Sequence, residues 1–218
     1  MYEVVIVDGV RSPMGRRGGG LAGVHAVDLL AHVLGALVDR TGIDPATVDD
    51  VIGGCVGQVG EQSTNVTRNA WLAAGLPVSV PAVTVDRQCG SSQQAVHFAA
   101  QGIASGNYDV AIACGVESMS RIPIGSAATF QGSPYSEQLL AAHSLVSQGE
   151  SAERIAEKWG FSRSDLDAMA VRSHRTAIAA RDQCQHGIAK GAFARLGRVR
   201  DIVLGHLMGI IQGMQHIL

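Results

Sequence analysis

The sequence predicts an α/β fold in which a parallel-rich sheet is covered by helices on both faces. Short apolar runs nearly free of charge alternate with amphipathic stretches over the first 115 residues. Gly or Pro closes the intervening helices. Strands buried on both faces read as continuous apolar runs, which is the signature of parallel and not antiparallel pairing. At 218 residues the chain is long enough for one or two domains with a sizeable core.

Residues 4–8 read as a first strand. Residues 26–40 set Val27, Leu30, Leu34, Leu37 and Val38 along one helical face, and Thr41-Gly42 closes that helix. Residues 50–58 make a second strand, and 65–74 a helix ended by Gly75 and Pro77. Residues 80–86 read as a buried third strand, 87–92 as a tight turn and 93–105 as a helix that stops at Gly106-Asn107. A fourth strand spans 108–114. The composition then changes. Residues 118–149 are rich in Ser, Gly, Pro and Gln without a period, and read as an extended, partly ordered insertion. Two helices follow, one over 151–159 ended by Gly160 and one capped by Ser162, with Asp165 three residues on as a weak capping box, running to about residue 182. The expected organisation is a core over 1–117, an inserted and mostly helical domain over 118–183, and a divergent tail over 184–218.

Composition narrows the function classes. Hydrophobic residues make up 46% and charged residues 17%, with a net charge of -2. Globular chains carry about a quarter charged residues, so this surface is poor in charge and suits a chain that hides area in a partner subunit. No basic stretch suggests nucleic acid, and only two lysines, Lys158 and Lys190, are present. The N-terminus lacks the regions of a signal peptide. The apolar stretch over 202–218 is interrupted by His206, Gln212, Gln215 and His216, which argues against a membrane span. Cys55, Cys89, Cys114 and Cys184 have no CxxC spacing and read as reduced thiols of a cytoplasmic protein, not as a disulfide frame or a metal site. Gly15 and Gly18 to Gly20 lack the lysine and spacing of a phosphate loop and read as a flexible turn.

Cys89 is the candidate catalytic residue. A cysteine on a strand-to-helix turn lies beside the unpaired N–H groups of the first helical turn, which favour thiolate over thiol. Its small, cap-forming neighbours Gly90, Ser91 and Ser92 fit that placement. The alternative is a small buried hydrophobe, the commoner use of a free cysteine. A helix N-terminus contributes about 0.3–1 kcal/mol, whereas each tenfold in ionisation requires ~1.4. Fast acyl transfer at neutral pH therefore calls for an imidazole as well. His97 lies about two turns along the same helix, too far to serve. His25, His32, His143, His174, His186 and His216 sit in polar contexts. His206, in Gly205-His206-Leu207-Met208-Gly209, could be presented on a turn, but an incidental histidine in an amphipathic tail is the simpler reading.

Over residues 2 to about 183 the sequence resembles the thiolase family of acyl-CoA acetyltransferases. Arg11-Ser12-Pro13 with Gly15 is similar to an Arg-Thr-Pro segment, and Asn65 with Arg68 to an Asn-x-x-Arg helix. Residues 80–82 leading to Cys89-Gly90-Ser91 resemble the nucleophile loop. Gly115-Val116-Glu117-Ser118-Met119-Ser120 is similar to Gly-Gly-Met-Glu-x-Met-Ser, and residues 149–158 with Arg172-Ser173-His174 to the inserted domain that covers coenzyme A. The resemblance implies that Cys89 takes up an acyl group and passes it to coenzyme A in thiolysis of a 3-oxoacyl-CoA, or to acetyl-CoA in condensation. It implies no metal or redox cofactor, coenzyme A thioesters as substrates, and a homodimer or homotetramer.

The sequence departs from the family in two places. Ser147-Gln148 stands where many biosynthetic members carry His-Met, which points to a substrate bulkier than acetoacetyl-CoA, including a steroid side-chain thioester. After Asp182 the pattern ends. The expectation is an incomplete first half of a two-half fold, its tail the product of truncation, frameshift or rearrangement. The final strand of that half would be absent, leaving an apolar edge beside residues 108–114 and little turnover. Two alternatives stand beside the acyltransferase: a ketosynthase-like condensing enzyme, and an inactive chain that acts only by pairing with a full-length subunit.

Overall fold

The structure, a computed structural model, describes residues 2–129, 131–185 and 200–205. The chain divides into two compact units, one holding residues up to Gly132 together with the segment at 200–205, the other beginning at Ser133.

In the first unit, β1 (Val4–Val10) leads to α1 (Ala26–Thr41), β2 (Asp50–Gly54), α2 (Val66–Ala73), β3 (Ala82–Val85), α3 (Ser91–Ser105), β4 (Val110–Gly115) and the single helical turn α4 (Ser126–Thr129). Gly42, in the left-handed region, closes α1 through a bond to the Val38 carbonyl, as Thr41-Gly42 predicts. A fifth strand, β5 (Arg200–Gly205), completes a wholly parallel sheet in the order β1-β5-β4-β2-β3.

Side chains alternate across this sheet. Val51, Ile112 and Cys114 face Leu30, Leu34 and Leu37 of α1 and Trp71 of α2 in one core. Ile52, Ala111 and Ala113 face Ala95, Ala99 and Ile103 of α3 in another. Helices thus cover both faces, as the charge-free strands predict.

Two expectations are corrected. The sheet does not lack a strand beside β4: Ile202 and Val203 pair there with Ala111 and Ile112. The run Arg200-Asp201-Ile202-Val203-Leu204-Gly205 opens on two charges, which hides a β-branched apolar centre suited to an interior position. Nor is β3 buried on both sides. It forms one edge of the sheet, and Val83 is exposed.

The second unit contains α5 (Glu137–Ala142), α6 (Gln148–Trp159) and α7 (Arg163–Gln185). Ser162 and Asp165 form the expected capping box, Ser162 N–H donating to Asp165 Oδ2 at 2.9 Å and Asp165 N–H to Ser162 Oγ at 3.2 Å. Among the described residues no helix is long and apolar enough to cross a membrane.

Candidate active site

All five strands run the same way, so their C-terminal ends share one edge of the sheet. In open parallel sheets that edge is where ligands bind. Cys89 stands there, between β3 and α3, and is exposed.

The turn is tight. Gln88 is in the left-handed region at φ 48, an unusual place for a residue with a side chain. Its N–H donates to Asp86 Oδ1 at 2.6 Å. Ser91 Oγ accepts from Arg87 N–H at 2.9 Å and donates to the Gln88 carbonyl at 2.6 Å. The Arg87 guanidinium bonds Gln94 Oε1 on the next turn of α3.

Two glycines let this helix end sit directly on the sheet. A Cβ on Gly54, at the end of β2, would fall 2.3 Å from Ser92 N, and one on Gly115, at the end of β4, 2.0 Å from Ser92 Oγ.

Cys55 and Cys114 are buried, unlike Cys89. Burial, reinforced by the Glu117 and Asp86 carboxylates, pushes the Cys55 thiol up to about 12. Burial alone pushes Cys114 up to about 12. Both stay protonated at neutral pH, which leaves Cys89 as the exposed thiol among these three.

The other motif residues hold loops. Asn65 Oδ1 caps α2 by accepting from Arg68 N–H at 3.2 Å, while its Nδ2 donates to the Ala82 carbonyl at 2.8 Å. The Arg68 guanidinium bonds the carbonyls of Val78, at 2.7 Å, and Val80. Together they fasten the approach to β3.

Glu117, just past β4, accepts from Val56 N–H at 2.9 Å and Gly57 N–H at 3.1 Å, which orders the loop after β2. Gln62 completes that knot. Nothing in the sequence marks Gln62, although it is fully buried.

Arg11, Ser12, Pro13 and His32 line a small pocket of about 100 Å³. It lies at the end of β1, the sheet edge opposite β3, and so apart from the Cys89 turn.

Among the described residues, no imidazole hydrogen-bonds Cys89. His25 Nδ1 accepts from Val27 N–H at 3.2 Å as the cap of α1, and its Nε2 lies 3.8 Å from Glu61. His97 is exposed on α3, and His143 and His174 lie in the second unit. His186, His206 and His216 lie outside the described residues. Among the described residues, no side chain hydrogen-bonds Cys89.

Comparison with known proteins places this geometry. The family described as thiolase, N-terminal domain, matches residues 4–188. This chain belongs to the thiolase family. A steroid 3-ketoacyl-CoA thiolase, FadA6, of Mycobacterium tuberculosis is 51% identical over 189 residues, covering 83% of this chain and 46% of the relative. The 3-ketoacyl-CoA thiolases of Pseudoalteromonas translucida and Bacillus subtilis are 46% and 43% identical, each again with 83% of this chain and 46% of the relative covered. The chain spans about half the length of the curated relatives it matches.

Within this thiolase-family sequence the departure at Ser147-Gln148 has a local role. Ser147 Oγ caps α6 by accepting from Glu150 N–H at 3.2 Å.

Proposed function

We propose that this chain is an acyl-CoA acyltransferase of the thiolase type, with Cys89 as the residue that carries the acyl group. The observation that supports this is an exposed thiol on the strained turn into α3, whereas Cys55 and Cys114 are buried and protonated.

In thiolysis the Cys89 sulfur adds to the 3-oxo carbonyl carbon and the C2–C3 bond breaks. The departing acetyl-CoA carbanion takes the proton that the sulfur gave up. Coenzyme A then attacks the acyl-cysteine, its sulfur taking the acyl group while its proton returns to Cys89. Atoms and charge balance with a 3-oxoacyl-CoA and free coenzyme A, so the proposal includes no metal or redox cofactor. It does call for a proton acceptor beside Cys89, for which an imidazole suits neutral pH.

A bulky 3-oxoacyl-CoA is the proposed substrate class. Support comes from Ser147-Gln148 in place of His-Met and from the steroid thiolase among the relatives. Clear preference for acetoacetyl-CoA over longer 3-oxoacyl-CoAs would overturn that choice. We further propose a homo-oligomer, supported by the low charge and the exposed edge strand β3, in the cytoplasm, supported by the free cysteines.

The deciding experiment is intact mass spectrometry after mixing the protein with acetyl-CoA. The expected result is a single acetyl adduct, lost in Cys89→Ala. No adduct on the wild-type chain would overturn the acyl-transfer reading.

A further inference from the structure

The hydroxyl of Ser91 faces backward. Ser91 opens α3, yet the cap of that helix is Gly90, and no side-chain bond caps the helix. Ser91 Oγ instead accepts from Arg87 N–H and donates to the Gln88 carbonyl, which the Ser91 N–H also reaches at 3.0 Å. The side chain is fully buried. Three bonds from one residue therefore close the loop that contains Cys89.

We infer that Ser91 is a positioning residue for Cys89, holding its thiol against the first turn of α3 through the carbonyl of Gln88. The inference rests on the reading of Cys89 as the acyl carrier. The Gln88 carbonyl and the Cys89 amide belong to one planar peptide, so fixing the oxygen fixes the direction in which the Cys89 backbone leaves the turn. Left-handed backbone at Gln88 costs roughly 1 kcal/mol or more and persists only where surrounding bonds hold it. Asp86 supplies one such bond from an exposed position, and Ser91 supplies the buried ones. The rear of the turn has no slack, because Gly54 backs directly onto the peptide joining Ser91 to Ser92. The influence of a helix N-terminus falls off within its first turn. A Cys89 that swings away from α3 therefore loses it.

The test is Ser91→Ala in the full chain. Labelling of Cys89 by iodoacetamide at pH 7 should slow by about 2–5-fold, the loss of the helix-end effect. Cys55 and Cys114 should remain protected from the reagent. With acetyl-CoA, acylation at saturation should fall roughly 10-fold while the half-saturating concentration stays unchanged, the mark of misplaced reacting atoms. Labelling of Cys89 at the wild-type rate or faster would overturn the inference. So would a variant that fails to fold or that exposes Cys55 and Cys114, since Ser91 would then be holding the fold and not the turn. Should wild-type protein take no acetyl group, the acyl-transfer reading falls, and the labelling comparison still decides the role of Ser91.

Discussion

Gln62 donates from Nε2 to Glu117 Oε1 at 2.7 Å, joining two residues that lie on the loops leaving β2 and β4. The same amide donates to the Gly57 carbonyl at 2.8 Å, and its Oε1 accepts from Ser118 N–H at 2.7 Å. A buried side-chain amide is thus satisfied at both ends, beside a carboxylate that two backbone N–H groups also hold. Gln62→Leu keeps a side chain of similar size and removes the three side-chain bonds of Gln62. Ser118 N–H would be left unpaired in the interior. The expected cost is about 3 kcal/mol, because burying an orphaned donor and weakening the hold on a charge both count. Urea unfolding of the two proteins measures it, and a change below 1 kcal/mol would mean that water replaces the amide.

Glycine is required at the end of β2 for a different reason. A Cβ on Gly54 meets backbone, Ser92 N at 2.3 Å and Ser91 C at 2.5 Å, with no flexible side-chain tip to give way. Gly54→Ala should therefore destabilise by more than about 2 kcal/mol, at the upper end of overpacking costs. Gly35, inside α1, has open space around it. Gly35→Ala should instead stabilise by about 0.5–1 kcal/mol through helix propensity. Thermal unfolding of the pair checks both signs in one experiment.

These contacts show which parts of the molecule are legible in sequence. The α1 stripe is local, and Leu30, Leu34 and Leu37 are buried as their spacing predicts. The turn at Cys89 is also local, a strand end, a small-residue run and a helix start within a dozen residues. Strand order is not local. β5 pairs Arg200 with Val4 and Asp201 with Val110, partners far away in sequence, and no period within residues 200–205 announces them. Gln62 carries no such signal, because its burial depends on Glu117, 55 positions away. The Asn65 and Arg68 pair is visible as a motif, but the geometry shows loops held together, a role the motif alone does not state.

Alkaline pH should destabilise the fold through Tyr108 and the two buried thiols. Tyr108 O–H donates to Asp50 Oδ2 at 2.8 Å, and that bond, ahead of burial and the Asp50 and Asp49 charges, pushes the phenol up to about 12. The group is neutral when protonated and its folded value lies above its unfolded one. Its stabilisation is therefore complete below the unfolded value near 10 and is lost as pH rises toward about 12. Cys55 and Cys114, raised from 9.0 to about 12, act in the same direction from a lower starting pH. Urea midpoints should fall steadily from about pH 9 upward. In Tyr108→Phe the fall should be shallower above pH 10, since the contribution of the phenol is gone. That variant should also be weaker at pH 7, because Asp50 Oδ1 already lacks a partner and Oδ2 would lose its own.

Asn65 separates backbone strain from hydrogen bonding. It sits in the left-handed region, at φ 62 and ψ 69. Its Oδ1 accepts from Arg68 N–H at 3.2 Å and from Thr84 Oγ1 at 2.8 Å, while Nδ2 reaches the Ala82 carbonyl. Asn65→Gly accepts the backbone freely and loses only the side-chain bonds, at a cost of about 2 kcal/mol. Asn65→Ala loses the same bonds and must also hold a Cβ in the left-handed region, which adds about 1 kcal/mol. Alanine should thus be the less stable of the two, against the usual order inside a helix, where glycine is worse. Denaturant unfolding of the three proteins gives the ranking directly. Glycine equal to or below alanine would show that α2 begins differently in solution. With the expected costs, the side-chain bonds of Asn65 account for the larger part of the loss, and two of them, to Ala82 and Thr84, hold the strand that leads to the Cys89 turn.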